Sequence, residues 1–134
     1  LPELGEPLAD VLLTPHRAYL REVESLWDAG VTPKAMSHIT GGAYVENLPR
    51  VLPDGVAVEI DTTAWDVPSI FRVIQERGNV SEQEMFRVYN MGIGLVVILD
   101  SADVPVALDT LPEARVIGKT VAWEGSGPHV HLRN

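Results

Sequence analysis

A chain of 134 residues, nearly half of them hydrophobic, is long enough for one domain with a real core and too apolar to be disordered. Its formal charge of −9 argues against a nucleic-acid binder, so a phosphate ligand would depend on local donors rather than on the overall field. Cysteine is absent, which removes disulfides and thiolate metal sites and fits a cytosolic protein. No apolar run is long enough to span a bilayer, and no basic-then-apolar signal segment is visible, so neither membrane nor nucleic acid is expected as a partner.

Leu1 is not an initiator methionine, and Leu1 to Pro7 reads as a Pro/Gly linker. The chain is therefore expected to be the back piece of a longer protein, or a processed or engineered piece. Leu8 to Leu13 is a short apolar run of ambiguous type. Thr14-Pro15 reads as an N-cap with proline at the first helical position, opening a helix with Tyr19, Val23, Leu26 and Trp27 on one face and Gly30 as its stop. Thr32-Pro33 is a turn, and Lys34 to Ile39 reads as a buried strand. Gly41-Gly42 turns the chain into a helix over Ala43 to Val51 with Tyr44, Val45 and Leu48 inward, which Pro49 should end early or kink.

Pro53-Asp54-Gly55 is a turn before a strand in which Val56, Val58 and Ile60 alternate with Ala57 and Glu59. Trp65 is placed at the core edge. Pro68 starts a helix carrying Ile70, Val73 and Ile74, capped by Gly78. Ser81-Glu82-Gln83-Glu84 is a capping box for a helix with Met85, Val88 and Tyr89 on its apolar face. Asn90 to Gly94 breaks that helix and leads into a continuous apolar strand, Leu95 to Leu99. Asp100 to Leu111 reads as a short helix, Ala114 to Trp123 as containing a strand around Val116 and Ile117, Gly125 to Pro128 as a turn, and His129 to Leu132 as a last strand. Two consecutive helices between strands exclude a strict βαβ alternation. The expected fold class is α+β, an α/β sandwich with a mixed, mainly antiparallel sheet packed by helices.

The stretch Met36 to Asn47 is the one best suited to hold an anion. A strand ending in His38 and Thr40, a Gly41-Gly42 turn and a helix start would bring backbone N–H groups close to a ligand. It matches neither Gly-x-Gly-x-x-Gly nor the Walker pattern, so a plain strand-to-helix turn is the alternative. His38 is either a donor, acid or base in a cleft, or a histidine bonded within the domain. Asn90, Gly92 and Gly94 form either a second backbone nest or an ordinary helix C-cap. His129 and His131 would share a strand face, but no third ligand has clear spacing, and no metal site is assigned. Glu59, Asp61 and Asp66 around Trp65 could pair for acid–base work but read rather as a solvated loop, and His16 as a surface residue near a helix start. No Ser-His-Asp or Cys-His arrangement follows from spacing.

Several segments together resemble one family. His38-Ile39-Thr40-Gly41-Gly42 with Glu46-Asn47-Leu48-Pro49-Arg50-Val51-Leu52-Pro53 is similar to the C-terminal domain of phosphoribosylformylglycinamidine cyclo-ligase, also called aminoimidazole ribonucleotide synthetase. Leu13 to Tyr19, Pro68 to Phe71, Gly78 to Met85 and Phe86 to Gly94 agree in order and spacing. His16 stands where that family usually has Thr, and Ala43 where a third glycine is common. The residues after Asp100 are not distinctive.

The resemblance implies a single domain, 1–134, with 1–7 as linker, forming the back part of a two-domain homodimeric enzyme of cytoplasmic purine biosynthesis. That enzyme uses ATP and Mg²⁺, bound mainly by its N-terminal domain, to close the ring of formylglycinamidine ribonucleotide. His38 is then the expected catalytic residue, Thr40, Gly41, Gly42, Asn90 and Gly92 contact phosphate or substrate, and the isolated chain is expected to be inactive. Two other readings remain: a sibling such as formylglycinamidine synthetase, selenophosphate synthetase or thiamine-phosphate kinase, and a non-catalytic phosphate-binding or interaction module.

Overall fold

A computed structural model describes all residues, 1–134. Helices α1 (Leu8–Leu13), α2 (Leu20–Asp28), α3 (Ala43–Asn47), α4 (Ser69–Gly78), α5 (Glu82–Val88) and α6 (Val104–Thr110) are interspersed with strands β1 (Ala35–His38), β2 (Val56–Asp61), β3 (Leu95–Ile98), β4 (Gly118–Ala122) and β5 (Val130–Arg133). Strands β1 and β3 form an antiparallel pair in which His38 faces Leu95. The other strands form a sheet in the order β4-β2-β5, antiparallel between β2 and β4 and parallel between β2 and β5. This is the expected α+β class with mixed pairing, divided between two small sheets. No helix is long and apolar enough to cross a membrane.

The main core gathers Ile39, Tyr44, Leu48, Val58, Ile60, Trp65, Met85, Phe86 and Met91. Strand β2 reads as alternating but lies between two others, so Ala57 is buried as fully as Val58. Tyr44, Trp65 and Phe86 stand with ring centroids 6.2 Å apart, a spacing at which aromatic pairs attract beyond the area they bury. A smaller cluster of Leu26, Val31 and Ala107 joins the end of α2 to α6.

Several local expectations are corrected. Thr14 does not open the second helix: its hydroxyl donates to Asp10 O at 2.9 Å, closing α1, and α2 begins only at Leu20. Of the predicted face of α2, Leu26 is buried while Trp27 is exposed. Lys34 to Ile39 is not a uniformly buried strand, because β1 alternates between solvent and core, with Ser37 and Ile39 inward. Helix α3 gives way at Asn47 to a 3₁₀ turn over Leu48–Arg50, since Pro49 has no N–H to donate. Tyr44 and Leu48 point inward, but Val45 is exposed.

Gly78 ends α4, but the left-handed residue beyond it is Asn79, at φ 49°. At α5, Glu84 N–H donates to Ser81 Oγ at 3.3 Å as a capping box requires. The Glu84 carboxylate turns instead to Arg87, and Val88 is exposed. The late strand lies at Gly118–Ala122 rather than around Val116, which is exposed. Within residues 1–7, Pro2–Leu4 forms a 3₁₀ turn with Leu4 buried and Glu3 accepting from Arg77 at 3.1 Å.

Candidate functional site

The two glycine turns lie side by side. Ile39 N–H donates to Gly94 O at 2.8 Å, extending the β1–β3 pairing up to both turns. Tyr44, fully buried on α3, crosses from one turn to the other and donates its hydroxyl to Asn90 O at 2.6 Å. Burial pushes the Tyr44 phenol well above its ordinary range, so it stays a neutral donor.

The first turn is closed by Ala43 N–H donating to Thr40 O at 2.9 Å. Gly42 (φ 85°) and Ala43 (φ 45°) are both left-handed, a demand that glycine meets and alanine meets only under strain. Asn47, a buried polar side chain, holds this backbone: its Nδ2 donates to Ala43 O at 2.6 Å and to Gly41 O at 3.2 Å. The amides of Gly41 and Gly42 make no hydrogen bond within the chain, and the Thr40 hydroxyl is exposed. A Cβ on Gly42 would meet the Glu46 side chain, which places an acidic group beside these free donors.

The second turn is built around Asn90. Its Oδ1 accepts Gly92 N–H at 3.0 Å, and its carbonyl accepts Ile93 N–H at 3.0 Å. Trp65 Nε1 donates to Met91 O at 2.9 Å. Gly92 (φ 102°) packs so tightly that a Cβ would stand 2.6 Å from Pro68 Cδ, and one on Gly94 would overlap the Tyr19 hydroxyl.

His38 is exposed at the end of β1, and its neighbours come from the other end of the sequence. Its Nε2 lies 3.3 Å from His16 Nε2, and the Tyr19 ring centroid is 6.4 Å from its own. By sequence alone His16 reads as a surface residue and Tyr19 as a packing residue on a helix face. The one signal that could have found them is that both fall in the Leu13–Tyr19 segment carrying the family resemblance. His38, Tyr19, Met36 and Leu95 line a shallow depression of about 460 Å³. A larger cleft, of about 1020 Å³, runs between the two sheets along Leu95 to Leu99 and Ile117 to Thr120; Gly92 and Gly94 reach it but His38 does not. The stretch Leu95 to Leu99, apolar throughout, is half-buried in β3 because this cleft opens on it.

Elsewhere, His129 stacks on Trp123 with centroids 4.1 Å apart and bonds Val56 O, which gives it a packing role. No group of three or more His, Asp or Glu side chains is arranged to hold a metal ion.

This mixed α+β domain, with paired glycine turns tied by a buried tyrosine, belongs to the family described as AIR synthase related protein, C-terminal domain, whose model matches residues 1–131. Among its relatives, the phosphoribosylformylglycinamidine cyclo-ligase of Thermoanaerobacter sp. (strain X514) is 45% identical over 129 residues, covering 93% of this chain and 38% of that protein. The enzyme of the same name from Bifidobacterium longum subsp. infantis is 45% identical, covering 99% of this chain and 39% of its own length. That of Oceanobacillus iheyensis is 41% identical over 128 residues. The chain thus spans well under half the length of the relatives it matches.

Proposed function

We propose that this chain is the C-terminal domain of a phosphoribosylformylglycinamidine cyclo-ligase and supplies one wall of its active-site cleft. The reaction is the ATP-dependent ring closure of formylglycinamidine ribonucleotide to aminoimidazole ribonucleotide, a step of purine biosynthesis in the cytoplasm. The observation that carries this reading is the family match across residues 1–131, over a pair of glycine turns that Tyr44 holds together next to His38.

The geometry supports a role for each residue. Thr40 hydroxyl and the free amides of Gly41 and Gly42 are donors for a phosphate of the substrate, in the manner of a backbone anion nest. Asn90 shapes the second turn and Gly92 lets its backbone come close to a ligand. His38, exposed at the rim of its depression, serves as the catalytic proton donor or acceptor. ATP, when bound, supplies activation of the formyl oxygen, with release of ADP and phosphate. Mg²⁺ and most of the ATP site belong, in this reading, to the preceding domain.

That domain has a surface to meet. Helix α1 buries none of its residues, and Leu12, Leu13 and Leu20 are 64%, 79% and 65% exposed. Exposed leucines of this kind, on a chain spanning 38% of its relatives' length, are where the preceding domain docks, within a homodimer of two-domain chains. The test is ADP release by the intact parent protein given ATP, Mg²⁺ and formylglycinamidine ribonucleotide, with this chain alone as the silent control. His38→Ala should lower turnover by about a hundredfold, as loss of an acid–base group does, while shifting thermal stability little. Release independent of the ribonucleotide, or none from a folded parent, would move the assignment to a sibling activity or to a binding module.

A further inference from the structure

The pairing of His16 with His38 has no part in the reading above. His16 Nδ1 lies 2.9 Å from Arg17 O and donates to it, leaving on Nε2 a lone pair that faces His38. Such a carbonyl partner is what orients histidines that bind metals. The facing His38 Nε2 is 3.3 Å away, with ring centroids 4.9 Å apart. Two metal–imidazole bonds of about 2.05 Å meeting at the tetrahedral angle place their nitrogens about 3.3 Å apart. Both rings are exposed, so an ion can enter and keep water on its remaining positions.

We propose that His16 and His38 form a two-nitrogen site for a borderline divalent cation of the Zn²⁺, Ni²⁺ or Cu²⁺ class. Imidazole favours these ions over Mg²⁺, which takes oxygen ligands. Binding displaces the direct contact between the rings. Without an ion, His38 Nε2–H is the donor to the His16 Nε2 lone pair; to ligate, His38 moves that proton to Nδ1, while His16 keeps its own on Arg17 O. Arg17 does not repel the ion strongly, because its guanidinium is already paired with Glu22 and Glu113 at 2.5 and 2.6 Å. The site joins the Leu13–Tyr19 segment to β1 at the rim of the His38 depression. An ion there takes the ring nitrogen of His38 out of use, and that consequence alone rests on the proposed catalytic role of His38.

The test is calorimetric titration of the intact parent protein, free of affinity histidines, with Ni²⁺ or Cu²⁺ alone. Wild type should bind one ion per chain that His16→Thr and His38→Asn each weaken by at least about tenfold, since loss of even an outer-shell partner costs that much. A His129→Gln/His131→Gln double variant should bind as wild type does, and Cu²⁺ bound to wild type should show nitrogen coupling in its electron paramagnetic resonance spectrum. Equal binding by wild type and His16→Thr, or no saturable ion in wild type, overturns the site. In the activity assay, Zn²⁺ should inhibit wild type and spare His16→Thr. Binding without inhibition would keep the metal site and count against the catalytic role of His38.

Discussion

Tyr44→Phe isolates the strap between the two glycine turns. The ring stays buried among Trp65, Phe86 and Leu48, and only the hydroxyl donating 2.6 Å to Asn90 O is lost. That carbonyl keeps a second partner, Ile93 N–H at 3.0 Å, so no buried acceptor is orphaned. The cost should therefore be that of one net hydrogen bond, about 1 kcal/mol, rather than the larger penalty of an unsatisfied group. Tyr44→Ala also empties the ring's place in the core and should cost about 3–5 kcal/mol. Urea unfolding of the 134-residue chain measures both, with the slope unchanged if only stability is affected.

Alkaline pH gives an independent check on the same residue. A phenol held above its ordinary value contributes stability that is complete below the unfolded value of about 10 and is lost as pH rises beyond it. Wild type should lose stability more steeply than Tyr44→Phe above about pH 10, where the unfolded chain's tyrosine begins to ionise. A cost for Tyr44→Phe as large as for Tyr44→Ala, or coincident alkaline limbs, would refute this role of the hydroxyl.

Other substitutions probe the remaining supports of the site. Gly92→Ala forces a Cβ against Pro68 at φ 102°, whereas Gly55→Ala, at φ 76°, meets nothing within 4 Å. The first should destabilise by clearly more than the second, whose cost is a left-handed alanine, about 1–2 kcal/mol; thermal melts compare them. Glu59 on β2 is held below the usual carboxylate range first by Arg133 and then by Lys119. Its contribution is present above the unfolded value of about 4.3 and is lost as pH falls through the folded one. Glu59→Gln should flatten the acid limb of stability below about pH 4.3, and acid titration of both proteins checks this.

What the sequence determined by itself is whatever depends on residues close together in the chain. The strand at β2, the Ser81 cap of α5 and the break at Pro49 are set by backbone geometry and neighbours within a turn or two, so they are legible before any tertiary contact exists. Gly41, Gly42 and Gly92 were visible as turns for the same reason, and the order of the family segments made the domain recognisable. Tertiary structure decided the rest. Thr14 could cap either flanking helix, and only the fold sent its hydroxyl back to Asp10. Trp27, Val45 and Val88 fall on faces that look apolar in sequence but that this chain leaves exposed. The pairing of His16 with His38 and the reach of Tyr44 to Asn90 join residues 22 and 46 positions apart. No local propensity encodes such contacts, because they arise only when strand pairing and core packing bring distant segments together.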